Sequence, residues 1–207
     1  MIIGRLRTLS GISSPSEIEA LKFREGEIGF IADIEAMFSR IRMKPEDAKY
    51  HRFLWRDKDT GERKTFQMNR LSFGDCCSPF IAVYATRKTA EEFGKGKPEA
   101  VYAIQKKFYI DDCLDSGRNA EEAINRAREV QTILGKGDFN LTKWLSNSGK
   151  FNEEFQPDSG ENAVTERPLG EEEAATKALG VYWRPEADIL TYGRGEVGEP
   201  KLTRILF

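Results

Sequence analysis

Histidine is almost absent from this sequence, which has one, His51, among 207 residues. A Ser-His-Asp triad needs a histidine beside its nucleophile, and a multi-histidine metal site needs several. His51 lies among basic residues in KYHRF, so we expect neither kind of site. Any chemistry must therefore rest on carboxylates, lysines or backbone groups.

Cysteines and long apolar stretches are scarce as well. The three cysteines, Cys76, Cys77 and Cys113, form neither a disulfide framework nor a C-x-x-C zinc pair. Small buried side chains in a reducing, intracellular setting are their simplest interpretation. No stretch approaches ~18 uninterrupted apolar residues, and charges interrupt the N-terminal segment. We therefore expect a soluble protein, most simply cytoplasmic, with no membrane partner.

Charge is balanced in total but uneven along the chain. Lys+Arg number 32 and Asp+Glu 34, which gives a formal net charge of -2. The excess of acids is concentrated in residues 153–175, and the remainder is weakly basic. Such a body can accept a polyanionic partner despite its low pI.

The order of local patterns predicts an α+β fold with an antiparallel sheet and helices packed on one face. The apolar run IGFIADI at 28–34 predicts a buried strand. The alternating stretch at 52–71, which turns at Thr60-Gly61, predicts a basic hairpin. Beyond it, 151–175 has no periodicity and reads as an acidic surface loop, followed by short strands in KALGVYW and DILTY.

Two helices have clear start signals. Ser78 as N-cap with Pro79 after it predicts a helix up to Gly94, with one apolar face formed by Phe80, Val83, Tyr84, Ala90 and Phe93. Asn119 and Glu122 form a capping box before a second helix. The core face of that second helix is predicted to hold Ala123, Ala127, Val130 and Leu134.

Three carboxylates stand in apolar sequence: Asp33 in FIADIEAMF, and Asp111 with Asp112 in KKFYIDDCL. Burying carboxylates there is costly unless a cation binds them. Carboxylates at adjacent strand ends suit a pair of Mg²⁺ ions ~3.5–4 Å apart. The alternative is a plain turn at Asp-Asp and a helix N-cap at Asp33, and spacing alone does not decide. Lys143, in FNLTKWLSNS, is either a general acid for a leaving pyrophosphate or a surface lysine.

The order of five motifs resembles the reverse transcriptase family. IADIEAMF at 31–38 resembles the first palm motif, LSFGDCCSP at 71–79 the second, and YIDD at 109–112 the Y-x-D-D signature of the third. GDFNLTK at 137–143 is similar to the fourth, and LGVYW at 179–183 to the primer grip. DIEAMF, FYIDDCL and LTKWLSNS look in particular like the BEL/Pao class of long-terminal-repeat retrotransposons.

The resemblance implies a right-hand polymerase palm over 28–192. It places a partial fingers hairpin at 45–72, the acidic loop at 151–175 and an N-terminal remnant of the fingers at 1–27. Residues 193–207 would be a truncated link toward a thumb, which would itself be absent. The chain would then be a fragment of a larger polyprotein whose other segments are its natural partners.

The implied activity is RNA-directed DNA polymerisation, with transfer of a nucleotide from a dNTP to a primer 3′-hydroxyl on an RNA or DNA template. Asp33, Asp111 and Asp112 would bind two Mg²⁺ ions, or Mn²⁺ in their place. The backbone carbonyl of Ile34 would be a further ligand. A protonated Lys143 would help pyrophosphate to depart.

The resemblance also assigns residues around the nucleotide and the primer. Phe38 would stack under the sugar and exclude a 2′-hydroxyl. Phe73 and Gly74 would line the nucleotide pocket, although Phe73 stands where retroviral enzymes carry Gln. The residues expected to position the primer are Tyr109, Gly180, Tyr182 and Trp183.

Two alternatives remain open at this point. One is a catalytically inactive truncated remnant that at most binds nucleic acid through the basic hairpin at 52–71. The other is a different palm-type enzyme, such as an RNA-directed RNA polymerase. Phe38 argues against the latter, because a bulky ring there would exclude ribonucleotides.

Overall fold

A computed structural model describes residues 25–156, 176–178, 181–185 and 188–192. Most of the N-terminal remnant, most of the acidic loop and the link toward a thumb lie outside these residues. The chain divides into two compact units. The first contains the described parts of 1–33, 107–128 and 143–207, and the second contains 34–106 and 129–142.

The described residues form nine strands and six helices. The strands are β1 (Ile28–Ile34), β2 (Arg52–Arg56), β3 (Arg63–Gln67), β4 (Phe108–Tyr109), β5 (Asp112–Gly117), β6 (Leu141–Ser146), β7 (Thr176–Ala178), β8 (Val181–Arg184) and β9 (Ile189–Tyr192). The helices are α1 (Met37–Arg40), α2 (Pro45–Ala48), α3 (Ser78–Phe93), α4 (Pro98–Lys106), α5 (Ala120–Lys136) and α6 (Gly149–Phe155). The predicted α+β class with antiparallel strand pairing is confirmed. No helix of the described residues is long and apolar enough to cross a membrane.

A four-stranded sheet in the order β4-β5-β1-β6 is the centre of the first unit. β1 pairs antiparallel with β5, and β5 pairs antiparallel with β4. Side chains fasten β1 to the end of β6, because the Ser146 hydroxyl donates to the Gly29 carbonyl at 2.7 Å. The Gly29 N–H in turn donates to Asn147 Oδ1 at 3.0 Å. β1 is therefore fixed on both sides.

An aromatic cluster covers this sheet. The Phe30 ring on β1 stacks on Phe151 of α6 with centroids 5.0 Å apart, and both side chains are buried. Trp144 on β6 contacts Phe151 and Phe155. The prediction of an acidic loop beginning at residue 151 is therefore wrong for residues 151–155. These residues are helical because their aromatic side chains have an apolar sheet to pack against.

The second predicted helix begins as expected. The Glu122 N–H donates to Asn119 Oδ1 at 2.9 Å, which is one of the two bonds of a capping box. The four side chains predicted for its core face, Ala123, Ala127, Val130 and Leu134, are all buried. The helical periodicity and the capping residues were sufficient to predict this helix and its buried face, because local sequence preference and tertiary packing favour the same structure.

In the second unit, β2 and β3 form the predicted antiparallel hairpin. The first predicted helix is also present as α3, but two details of the prediction are wrong. Its N-cap is Cys77, and the Ser78 hydroxyl instead donates to the Ser72 carbonyl at 2.6 Å. Phe80 is 74% exposed and Tyr84 55% exposed. The buried face of α3 consists of small residues, Ser78, Ala82, Thr86, Thr89 and Ala90.

The cysteine interpretation also needs correction. Cys113 on β5 is buried, as expected, but Cys76 and Cys77 are exposed. Both exposed cysteines precede α3, where the chain turns at the surface. Sequence alone did not distinguish a loop position from a core position for these small side chains.

Two glycines allow a contrasting test of packing in the first unit and along α5. A Cβ atom at Gly117 would lie 2.7 Å from the backbone nitrogen of Ala123, whereas one at Gly135 would meet nothing within 4 Å. We expect Gly117→Ala to lower the free energy of unfolding by about 1–3 kcal/mol through overpacking. Gly135→Ala, inside α5, should raise it by about 0.5–1 kcal/mol. Urea denaturation of both variants measures the difference, and equal midpoints would contradict the close approach at Gly117.

Candidate active site

Strand pairing brings the three predicted carboxylates to one end of the sheet. Asp33, the next-to-last residue of β1, lies directly opposite Asp112, the first residue of β5. Tyr109 pairs with Asp112 across the β4–β5 hairpin. Ile110 and Asp111 therefore form a two-residue turn, and Asp111 stands next to Asp112 at the same strand end. The predicted juxtaposition of carboxylates is present in the fold.

The turn that carries Asp111 is strained. Ile110 has a φ of 59°, which is a left-handed conformation that β-branched residues rarely adopt. Two-residue hairpin turns of this kind normally use glycine at the first central position. The surrounding pairing of β4 and β5 must therefore hold the turn in place.

The carboxylates influence one another electrostatically. Burial raises the pKa of Asp112 from 3.8 to about 6, with smaller contributions from the charges of Asp111 and Asp33. The positive charge of Lys143 opposes this rise. The positive charge of Lys143 therefore does not fully compensate the cost of ionising Asp112 in the protein alone.

Lys143 reaches this cluster from β6. Its Nζ lies 3.5 Å from Asp33 Oδ2, and its side chain is 77% exposed. Its φ is 54°, and the burial pattern of β6 changes phase there, because Leu141 and Trp144 are both buried. Lys143 is thus a surface lysine that also contacts a predicted catalytic carboxylate. The break in the strand places it on the exposed side.

The chemistry of these side chains fits a divalent cation. Carboxylate oxygens are the ligands that Mg²⁺ prefers, and a cation would stabilise the ionised form of Asp112, which burial and the neighbouring charges of Asp111 and Asp33 disfavour. Among the described residues, no three His, Cys, Asp or Glu side chains already converge as a metal-binding group. The carboxylates would therefore have to turn toward a common point. Ile34 follows Asp33 with its side chain buried, and its carbonyl remains a predicted ligand.

The residues predicted to contact the nucleotide belong to the second unit. The rings of Phe38 and Phe73 meet edge to face, with centroids 5.5 Å apart and an interplanar angle of 84°. Phe73 is 88% exposed, and Gly74 after it has a φ of 101°. In the same loop, Asp75 Oδ2 lies 3.2 Å from His51 Nδ1, so the single histidine links this loop to the start of the hairpin.

The residues predicted to position the primer differ in their placement. Tyr109 is 41% exposed on β4. Gly180 lies outside the described residues, and Tyr182 pairs with Lys177 and Thr191 in the middle strand of the β7-β8-β9 sheet. Trp183 is 1% exposed, and its indole N–H donates to Asp188 Oδ1 at 3.3 Å. Trp183 belongs to a core, so any role in positioning a primer would be indirect.

An exposed aromatic face on the hairpin was not anticipated from the sequence. Phe53, Trp55 and Phe66 are 42%, 56% and 44% exposed, and Phe53 stacks on Phe66 across the strands at 5.7 Å. All ten residues of β2 and β3 are exposed, and four of them are Arg or Lys. The alternation of basic and aromatic residues was the available signal, but alternation normally predicts one buried face.

The fold and the site define an α+β protein whose neighbouring antiparallel strands present a carboxylate cluster with a lysine beside it. The sequence model of the family "Reverse transcriptase (RNA-dependent DNA polymerase)" matches residues 6–143, which is more than half of the chain. The chain therefore belongs to the reverse transcriptase family. The match includes the carboxylates at 33, 111 and 112 and ends at Lys143. A search of curated proteins found no significant match.

Neutralising Asp112 should stabilise the metal-free protein at high pH. Because the folded pKa is raised from 3.8 to about 6, the ionised form destabilises the fold, and this penalty grows between those two pH values. We expect Asp112→Asn to raise the free energy of unfolding by about 1 kcal/mol at pH 8, after allowance for solvent screening, and by nothing below pH 3.8. Urea denaturation in EDTA measures this difference.

Asp59→Asn, which removes a carboxylate at an exposed position, is the matched control for the loss of one charge. A pH-independent difference between wild type and Asp112→Asn would contradict the electrostatic interpretation.

Proposed function

We propose that this chain carries out RNA-directed DNA polymerisation by two-metal nucleotidyl transfer from a dNTP to a primer 3′-hydroxyl. The observation that carries the proposal is the pairing of Asp33 with Asp112, with Asp111 adjacent and Lys143 at 3.5 Å from Asp33. Membership of the reverse transcriptase family supports the reaction class. Template nucleic acid and dNTP are the corresponding partners.

Each residue of the cluster has a role in this proposal. Asp33, Asp111 and Asp112 would hold two Mg²⁺ ions, with the Ile34 carbonyl as a further ligand. When bound, these ions would lower the pKa of the primer hydroxyl and neutralise charge on the departing pyrophosphate. Asp112 must be ionised to act as a ligand, so its raised pKa makes metal affinity fall as the pH drops toward 6.

Lys143 would act as the general acid for pyrophosphate. Its Nζ contacts Asp33, and its side chain is long and mostly exposed, so it can leave this carboxylate without disturbing the core. An ammonium group near a developing phosphate charge stabilises that charge and can donate a proton to it. The lysine would thus exchange a carboxylate partner for a phosphate partner during turnover.

Sugar and primer recognition complete the proposal. Phe38 would select the deoxyribose, with Phe73 and Gly74 lining the nucleotide pocket. Tyr109, Gly180 and Tyr182 would position the primer, with Trp183 contributing through the core of its sheet. The strings DIEAMF, FYIDDCL and LTKWLSNS support placement in the BEL/Pao class of retrotransposons. The architecture that corresponds to this class is a polymerase palm with a partial fingers hairpin.

The β2–β3 hairpin supports nucleic-acid binding by this chain. Its ten strand residues include Arg52, Arg56, Arg63 and Lys64 and no acid. Exposed aromatic rings interleaved with basic side chains are typical of surfaces on which unpaired bases stack. We propose that single-stranded template contacts this hairpin, which would also be the surviving function of a catalytically inactive chain.

Replacing one carboxylate tests the reaction. We expect Mg²⁺-dependent extension of a DNA primer on an RNA template at low salt, and a loss of at least about 100-fold in Asp111→Asn. Asp47→Asn, at an exposed position in α2, should extend the primer as wild type does. Equal, background-level incorporation by wild type and Asp111→Asn would contradict the polymerase proposal and favour a binding role alone.

A second substitution tests the hairpin. Trp55→Ala should weaken binding of a labelled single-stranded RNA by about 5- to 10-fold, because one stacking surface is lost. Tyr102→Ala is the matched control, since Tyr102 on α4 is 55% exposed and Trp55 is 56% exposed. Fluorescence anisotropy of the RNA measures both. Arg56→Gln should reduce the slope of binding against salt by about 0.7, and unchanged affinity in both hairpin variants would refute this interface.

A further inference from the structure

The contact between Phe38 and Phe73 points to a role for Phe73 in sugar selection. We propose that Phe73 is a positioning residue, whose ring holds the Phe38 ring in the orientation that excludes a 2′-hydroxyl. The inference rests on the proposed function, because it assumes that Phe38 selects the sugar. It assigns to Phe73 a positioning role in place of the polar contact that glutamine would make at this position.

The ring geometry is that of a stabilising aromatic pair. The centroids are 5.5 Å apart and the planes are nearly perpendicular, at 84°. In this arrangement the positive edge of one ring meets the negative face of the other, which fixes orientation as well as distance. A leucine would fill similar space without that directional preference.

Backbone hydrogen bonds hold the two ring-bearing segments together. The Leu71 N–H donates to the Ile41 carbonyl at 3.0 Å, and the Met43 N–H donates to the Asn69 carbonyl at 3.1 Å. The Arg70 guanidinium also donates to the Arg40 carbonyl at 2.9 Å. Phe38 precedes the first of these segments and Phe73 follows the second. These hydrogen bonds between the two segments therefore set the separation of the rings.

Phe38 itself has a weak local support. It lies in α1, a helix of only four residues, which follows Ala36 in a left-handed conformation with a φ of 50°. Such a short helix fixes side-chain direction poorly, because it contains a single turn. A ring contact from outside the helix therefore adds to the support of Phe38.

The exposure of Phe73 indicates that its ring does not serve the core. It is 88% exposed, so its burial contributes little to the stability of the free protein. A large exposed apolar side chain is more readily explained by a contact with a bound ligand or partner. Phe73 therefore combines solvent access with a directional contact to Phe38.

The deciding measurement is the ratio of kcat/KM for a deoxynucleotide to that for the matching ribonucleotide, in Mg²⁺-dependent primer extension by the full chain. Phe73→Leu should lower this ratio by about 2- to 10-fold, the range expected for loss of one aromatic pair. Phe73→Tyr, which keeps the ring, should retain it. Phe80→Leu is the control, because Phe80 is also exposed but stacks on Tyr84.

A double-mutant cycle separates positioning from a general loss of function. In the Phe38→Ala background, Phe73→Leu should leave the ratio unchanged, since the ring to be oriented is gone. The same effect in both backgrounds, or an unchanged ratio in the single variant, would overturn the inference. A purely structural role would lower kcat/KM for both sugars equally.

A chain without polymerase activity still allows the test. Absence of incorporation in wild type and Asp111→Asn alike would contradict the polymerase function. The quantity to compare is then the ratio of the affinities for dGTP and GTP, measured by equilibrium dialysis with Mg²⁺. A deoxynucleotide preference in binding that Phe73→Leu lowers and Phe73→Tyr retains would support the inference. No preference in wild type, or one that Phe73→Leu leaves intact, would overturn it.

Discussion

The register between β1 and β5 is the constraint on which the rest of the site depends. It places Asp33 opposite Asp112, although like charges directly across two strands destabilise a sheet. The pairing persists because the same strands carry Phe30 into the aromatic cluster and fasten Gly29 to β6. Apolar packing thus holds carboxylates together that would otherwise separate. Burial of Asp112 raises its pKa, and the neighbouring charges of Asp111 and Asp33 add to that rise.

Backbone strain is concentrated near the proposed catalytic residues. Among the described residues other than glycine, five have a positive φ, and three of them are Ala36, Ile110 and Lys143. Ala36 follows Asp33 by three residues, and Ile110 precedes Asp111. Strained conformations of this kind persist only where the surrounding structure determines them, and they are frequent at functional sites. The carboxylates are carried by strand ends and a tight turn, and the lysine lies within β6.

Sequence patterns predicted the helices and strands better than they predicted which side chains are buried. β1, the hairpin and α5 follow from apolar runs, turn residues and a capping box, all of which are local signals. The core face of α3 was predicted only in part, because Ala90 of the predicted face is buried but the rest of the buried face consists of small residues such as Ala82. Phe80 and Tyr84 are therefore displaced to the surface, against their hydrophobicity. Apolar surroundings marked the three aspartates as candidates, but spacing alone did not separate a metal site from a plain turn, and the ring contact of Phe73 depends on pairing between distant segments.

The left-handed backbone at Lys143 lowers the stability of the fold. Glycine and asparagine occupy this conformation with less steric cost than lysine, which is disfavoured there by about 1–2 kcal/mol. Selection for thermal stability alone would therefore favour glycine or asparagine in place of Lys143. The more stable protein would lose the cation beside Asp33. In the proposed polymerase, a lysine at this position keeps a cation beside Asp33 at a cost in backbone stability.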